Sequence, residues 1–139
     1  MNKSKLLKDR NFDKTIKIAL LSSYTINGFY ETLKVKMSEH QISGNIYVGA
    51  YNQYNQEILK DDSELYNFKP NLTFLMIDTR TILGEIFYSP YSISEEERKK
   101  NIEKKILELK NLINIFLSKS NSKLIITNLH IPTYSPYGL

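Results

Sequence analysis

The sequence contains no cysteine in its 139 residues. Disulfides, thiolate metal sites and a cysteine nucleophile are therefore excluded within this chain. A cysteine-free composition fits a cytoplasmic protein, which is the expected localisation. No apolar run approaches the roughly 18 residues that cross a bilayer. The N-terminus also lacks an apolar core followed by a small-residue cleavage site, so neither a membrane span nor a signal peptide is expected. No two His, Asp or Glu residues fall in a ligand spacing that also reads as buried, and no metal site is expected. Internal repeats and low-complexity tracts are missing too.

What is present is close to ordinary globular usage, with 41% hydrophobic and 24% charged residues. A chain of this length forms one domain and buries roughly two-thirds of its surface on folding. The formal net charge is +4, and much of the excess lies in "MNKSKLLKDRNFDK". A basic arm can touch nucleic acid or anionic lipid. The rest of the chain mixes both signs and shows no basic stripe. Residues 1–14 therefore read as a solvated lead-in to a domain over 15–139, with no nucleic-acid or membrane partner expected.

Period and punctuation give the elements. "IKIALL" (16–21) reads as a buried first strand. Thr25 is positioned as the N-cap of a helix whose Ile26, Phe29, Leu33 and Met37 share a face. "SGN" (43–45) breaks that pattern before a second strand, "IYVGA" (46–50). A short helix near 53–59 follows, then a turn at Asp61 and Asp62 and a further helical turn that Pro70 stops. "LTFLMI" (72–77) is a third buried strand, and "TRTILGEIFYSPYS" a loop or broken helix. Ser94 and Glu97 have capping-box spacing. Ile102, Ile106, Leu109, Ile113, Phe116 and Leu117 then hold one face of a long helix. "KLIIT" (123–127) is a fourth strand, and "NLHIPTYSPYGL" is expected to be irregular. This alternation predicts an α/β fold of three layers, with a parallel sheet of about four strands between helices. Right-handed crossovers favour the flavodoxin-like strand order 2-1-3-4.

Such sheets bind ligands at the carboxyl ends of their strands. Those ends carry Ser22, Ser23 and Thr25 after the first strand, Tyr51 and Asn52 after the second, Asp78, Thr79 and Arg80 after the third, and Asn128 and His130 after the fourth. A hydroxyl nucleophile needs an adjacent base, and the histidines are His40 and His130. His130 approaches the first turn if the first and fourth strands end on the same side. Equally, Thr25 caps the helix and the two serines satisfy loop amides. Asp78 and Arg80 either anchor a polar ligand, for which the planar guanidinium suits phosphate or carboxylate, or form a structural ion pair. Asn128 either donates to an oxyanion or makes an Asx turn towards Pro132. Tyr47, Tyr51, Tyr54, Tyr66, Tyr88, Tyr91, Tyr134 and Tyr137 mostly flank strand ends or loops, where they either rim a site or seal loops over the core.

Three stretches resemble the N-terminal domain of FkbH-like proteins, in the subfamily IIIC branch of the haloacid dehalogenase (HAD) superfamily. They are "LLSSYTINGFYETLK", the segment with Asp62, Ser63, Leu65, Tyr66, Phe68 and Pro70, and "NLHIPTYSPYGL". The resemblance implies an SGNH-hydrolase-like α/β fold and a larger parent with a downstream phosphatase-type domain. In that family the downstream domain loads a phosphorylated three-carbon acid as a glyceryl unit on an acyl carrier protein, or serves related natural-product or surface-polymer pathways. Mg2+ is expected only for that downstream domain, and no cofactor in this chain.

This sequence departs from those patterns. It has no "DxDxT" nucleophile motif, no Gly-Asp before the first-turn hydroxyls and no Asp-x-x-His. The last strand and helix of the full fold are expected to be missing. The expected function is an accessory domain that binds an acyl carrier protein or a small phosphorylated or acyl substrate. The alternative is an SGNH-type esterase or acyltransferase using Ser22, Ser23 or Thr25 with His130. Tyr51, Asp78, Arg80 and Asn128 are the expected substrate-binding residues.

Overall fold

Neighbouring side chains of the first strand point to opposite faces of the sheet and start two separate cores. Ile18 and Leu20 enter one cluster with Met37 and Met76. Ala19 and Leu21 enter a larger one with Ile58, Leu65, Leu75, Leu112 and Phe116. A strand apolar on both faces belongs inside a parallel sheet. The computed structural model describes residue 12 and residues 14–130. Most of the basic lead-in, the segment 131–139 and the turn assigned to Pro132 lie outside the described residues.

The elements are β1 (Lys14–Ser22), α1 (Phe29–Glu39), β2 (Ile42–Val48), α2 (Tyr54–Leu59), α3 (Glu64–Phe68), β3 (Leu72–Met76), α4 (Thr79–Leu83), α5 (Glu85–Tyr88), α6 (Glu95–Lys119) and β4 (Lys123–Ile126). The sheet has the order β2-β1-β3-β4. All of its pairings are parallel, with Ile18 opposite both Ile46 and Leu72, and Phe74 opposite Ile125. The α/β class, the strand order and the helices on both faces agree with the sequence reading. α1 covers one face, while α2, α3 and α6 share the other. Among the described residues no helix is long and apolar enough to cross a membrane.

The segment before β3 is held by side chains rather than by a long periodic element. Leu65 is fully buried. Glu57 accepts from the Tyr47 hydroxyl at 2.9 Å and from the Leu65 amide at 3.1 Å. Burial, with the Glu57 carboxylate as acceptor, raises the pKa of the Tyr47 hydroxyl and keeps it protonated. Tyr66 donates to the Ile58 carbonyl at 2.7 Å, and Phe68 packs on Tyr47 with ring centroids 5.7 Å apart.

Local details differ from the sequence reading for physical reasons. α1 starts later than Thr25 suggests: Gly28 is its N-cap, in the left-handed region at φ 82°, with no side-chain cap. Thr25 is exposed in the preceding turn. "SGN" lies inside β2 rather than before it. A Cβ at Gly44 would lie 2.4 Å from Met37 Cε, so the missing side chain admits α1 against the sheet. α6 has the expected capping box, but Leu112 and Phe116 are its buried residues. Ile106 and Leu117 are 49% and 54% exposed. The core packing of Leu112 and Phe116 sets this rotation, and beside it Lys119 donates to the Leu59 carbonyl at 2.7 Å and pairs with Asp61 at 2.6 Å. "TRTILGEIFY" forms α4 and α5, divided at Gly84 with φ 57°.

Two substitutions test this packing. Leu65→Ala should lower stability by about 2–5 kcal/mol in urea unfolding, as at other fully buried leucines; a loss below about 0.5 kcal/mol would place the segment on the surface. Ser38 is buried in α1, and its hydroxyl has no hydrogen-bond partner among the described residues. Ser38→Ala should therefore stabilise the fold, since a buried unpaired hydroxyl costs about 1–3 kcal/mol. Destabilisation in the same assay would reveal a partner for that oxygen.

Candidate functional site

Parallel pairing brings all four carboxyl ends to one edge of the sheet, and backbone hydrogen bonds tie them together. The Asn52 amide donates to the Ser22 carbonyl at 3.0 Å, and the Ser23 amide donates to the Met76 carbonyl at 3.0 Å. Asn52 turns the chain after β2 with φ 54°, a left-handed conformation that Asn tolerates. Both serines are buried. Ser22 Oγ accepts the Tyr24 amide at 3.1 Å, and Ser23 Oγ accepts the Asp78 amide at 2.8 Å.

Asp78 continues the arrangement into α4. Its carboxylate caps that helix by accepting the Arg80 amide at 2.8 Å. The same carboxylate takes Arg80 Nε at 3.0 Å and Nη2 at 2.6 Å in a two-point grip. The hydrogen bond from the Arg80 side chain, aided by the Arg80 amide and charge, holds the carboxyl below its ordinary range; His130 contributes a smaller electrostatic effect in the same direction. Thr79 Oγ1 donates to the His130 carbonyl at 2.6 Å, which ties the segment after β4 to the end of β3.

These elements enclose a cleft of about 350 Å³ lined by Ser23, Tyr24, Tyr51, Asp78, Arg80, Thr81 and Tyr88. Of the residues nominated from sequence, Ser23, Tyr51, Asp78, Arg80 and Tyr88 line it together. Ser22, Thr25, Asn128 and His130 are not in its wall. Tyr24 and Thr81 join the site without having been nominated. Tyr24 lies inside the first-strand turn, and Thr81 one residue past Arg80, so position beside nominated residues was the available signal. Neither histidine donates to or accepts from the hydroxyls of Ser22, Ser23 or Thr25, and His40 sits at the opposite end of α1 as its C-cap. Among the described residues no cluster of three or more His, Asp or Glu side chains is arranged to hold a metal ion. The cleft wall brings together a guanidinium held by a carboxylate, hydroxyls and aromatic side chains.

The grip on Asp78 has a measurable consequence. Its folded pKa is depressed, so its stabilising contribution is complete above the ordinary unfolded value near about 4. That contribution is lost as pH falls through the lower folded value. Carboxyl NMR titration should place Asp78 below the other aspartates, and Arg80→Met should move it up towards the ordinary range. An unchanged midpoint in that variant would show that Arg80 does not set it.

Comparison with known proteins agrees with the architecture. No protein-family model matches the chain, and no curated protein matches it. A solved structure does: the N-terminal part of the protein BF1531 from Bacteroides fragilis, described as containing a phosphatase domain and complexed with Mg. The two share 16% identity and superpose with a TM-score of 0.72 over 95% of this chain and 34% of that one. This chain thus spans about a third of that one and shares the fold of the matched part.

Proposed function

We propose that this chain is the binding module of an FkbH-like protein of HAD subfamily IIIC. In this role it holds a small phosphorylated or acyl substrate, or an acyl carrier protein, for glyceryl or acyl transfer by a phosphatase-type domain in the cytoplasm. One observation carries the proposal. The hydroxyl that lines the cleft, Ser23 Oγ, accepts a backbone amide and makes no hydrogen bond to a histidine among the described residues, while Asp78, Arg80, Tyr24, Tyr51 and Tyr88 line the same cleft. A hydroxyl at its free pKa is a poor nucleophile without a positioned base. The likeness to part of a B. fragilis protein that contains a phosphatase domain supports the same direction. Mg2+ would serve that domain's chemistry, and no step in this chain is routed through it.

Within the proposal each wall has a task. Arg80 recognises a phosphate or carboxylate, Asp78 fixes its fork, and the tyrosines cover the uncharged part of the ligand. The competing hydrolase reading requires Ser22, Ser23 or Thr25 to be activated by His130. Hydrolysis of p-nitrophenyl acetate separates the two. The wild-type chain should match buffer, and Ser22→Ala, Ser23→Ala, Thr25→Ala and His130→Ala should change nothing. A rate well above buffer, reduced about 10²-fold or more by one hydroxyl variant and by His130→Ala, would establish the hydrolase instead. In parallel, 3-phosphoglycerate or an acyl carrier protein should shift the NMR signals of Tyr51 and Arg80.

A further inference from the structure

The wall of the cleft that carries Tyr88 is held differently from the rest. α4 is fixed at its start, where Asp78 caps it and the buried Thr79 donates to the His130 carbonyl. Its Ile82 packs against the larger core. α5 follows without such ties. None of its residues is buried, and it packs against α4. Among the described residues its backbone hydrogen bonds are local: the Phe87 amide donates to the Gly84 carbonyl at 3.1 Å, and the Ser89 amide to the Glu85 carbonyl at 2.9 Å. Both ends of α5 are bends. Gly84 has φ 57° and ψ -129°, a combination that glycine enters without strain, and Ser89 leaves the helix at φ -134° and ψ 61°. Beyond Ser89 the chain is fastened again. Arg98 of α6 donates to the Pro90 carbonyl at 2.6 Å, and its guanidinium lies over the Tyr91 ring at 5.3 Å. Residues 84–89 are thus a short span between two fastened points.

That span carries exposed aromatic surface. Tyr88 is 60% exposed and Tyr51 is 68% exposed, and both line the cleft. Two large rings left in water around one cavity gain by covering each other, since burying apolar area is favourable. The two rings, the weak hold on α5 and the glycine at its start belong to one device. We propose that residues 84–89 are a lid, hinged at Gly84, that swings Tyr88 towards Tyr51 and closes the cleft, with the present position as its open state. Closing covers Ser23 and Arg80 and shuts water out of the space above them. Arg98 limits the swing by keeping hold of Pro90. What the lid encloses rests on the binding role proposed for the cleft. Its movement is a property of the free chain and needs no ligand to be seen.

Relaxation-dispersion NMR of the ligand-free chain tests the movement, on the microsecond-to-millisecond timescale of lids. Exchange should appear at residues 84–89 and at Tyr51, and be absent from β1 and β3. Arg98→Met frees the outer end and should increase it. A second measurement uses the lack of tryptophan in the sequence. Tyr88→Trp places a single fluorophore on the lid, and acrylamide should quench it as an exposed indole. Adding Gly84→Ala isolates the hinge: a Cβ there meets nothing within 4 Å, so only the backbone angle is opposed. Alanine should lower the ratio of open to closed lid about tenfold, and quenching should fall. Flat dispersion profiles over 84–89, or quenching that Gly84→Ala leaves unchanged or raises, would overturn the lid and leave the binding role of the cleft standing. That role is read separately, from shifts at Arg80 on adding 3-phosphoglycerate. Their absence would remove the binding reading, and the dispersion profiles would still decide the lid.

Discussion

The Asp78 amide donates to the buried Ser23 hydroxyl at 2.8 Å, and the candidate site depends on that tie. It joins the end of β1 to the start of α4, across the junction where β3 has just finished. Once the Asp78 backbone is fixed, its carboxylate can cap α4 and grip Arg80. Tyr24 and Thr81 take their places in the cleft wall as neighbours of Ser23 and Arg80. A buried donor left without its acceptor costs about 1–3 kcal/mol, so the Ser23 hydroxyl is bound to this structural task by energy as well as geometry. The oxygen that a hydrolase would use for attack here holds the loop that frames the cleft.

The same economy runs through the rest of the domain. Polar groups in the interior serve mainly to join elements. Thr73 and Ser122 share a hydrogen bond of 2.8 Å beneath the sheet, and Glu57 holds both Tyr47 and the start of α3. Asn71 Oδ1 accepts the Lys17 amide at 2.8 Å, and the Asn71 amide donates back to the Lys17 carbonyl at the same distance. The Asn71 and Thr73 links tie β3 to β1 and to the start of β4 at the amino-terminal edge of the sheet, opposite the cleft, and the Glu57 links tie β2 to α2 and α3. Asp78, Arg80, Tyr24, Tyr51 and Tyr88 are left facing the cleft.

The sheet was legible because its determinants are local. The runs 16–21 and 72–77 are apolar on both faces, and only an internal parallel strand uses such a run. The capping box at Ser94 and Glu97 was legible for the same reason. The rotation of α6 was not, because the apolar band of that helix is wider than the ridge it buries. Packing of Leu112 and Phe116 in one cluster with Leu21, Ile58, Leu65 and Leu75 chooses the ridge, and those contacts span distant parts of the chain. Gly44 misled for a related reason: a strand glycine resembles a break until Met37 is seen to need its space. At the site, strand ends could be listed from sequence, which found Ser23, Tyr51, Asp78 and Arg80. Which of the nominated hydroxyls would face a histidine is a question of side-chain direction, and periodicity holds no information on it.

The central claim is that Ser23 is a structural acceptor in a binding cleft, and covalent trapping tests it most directly. A fluorophosphonate forms a stable adduct with a serine activated for attack and ignores one that is not. Incubation with excess reagent, followed by intact-mass and peptide mapping, should show no phosphonylation at Ser22, Ser23 or Thr25. A stoichiometric adduct on any of them would contradict the account and identify the nucleophile of a hydrolase.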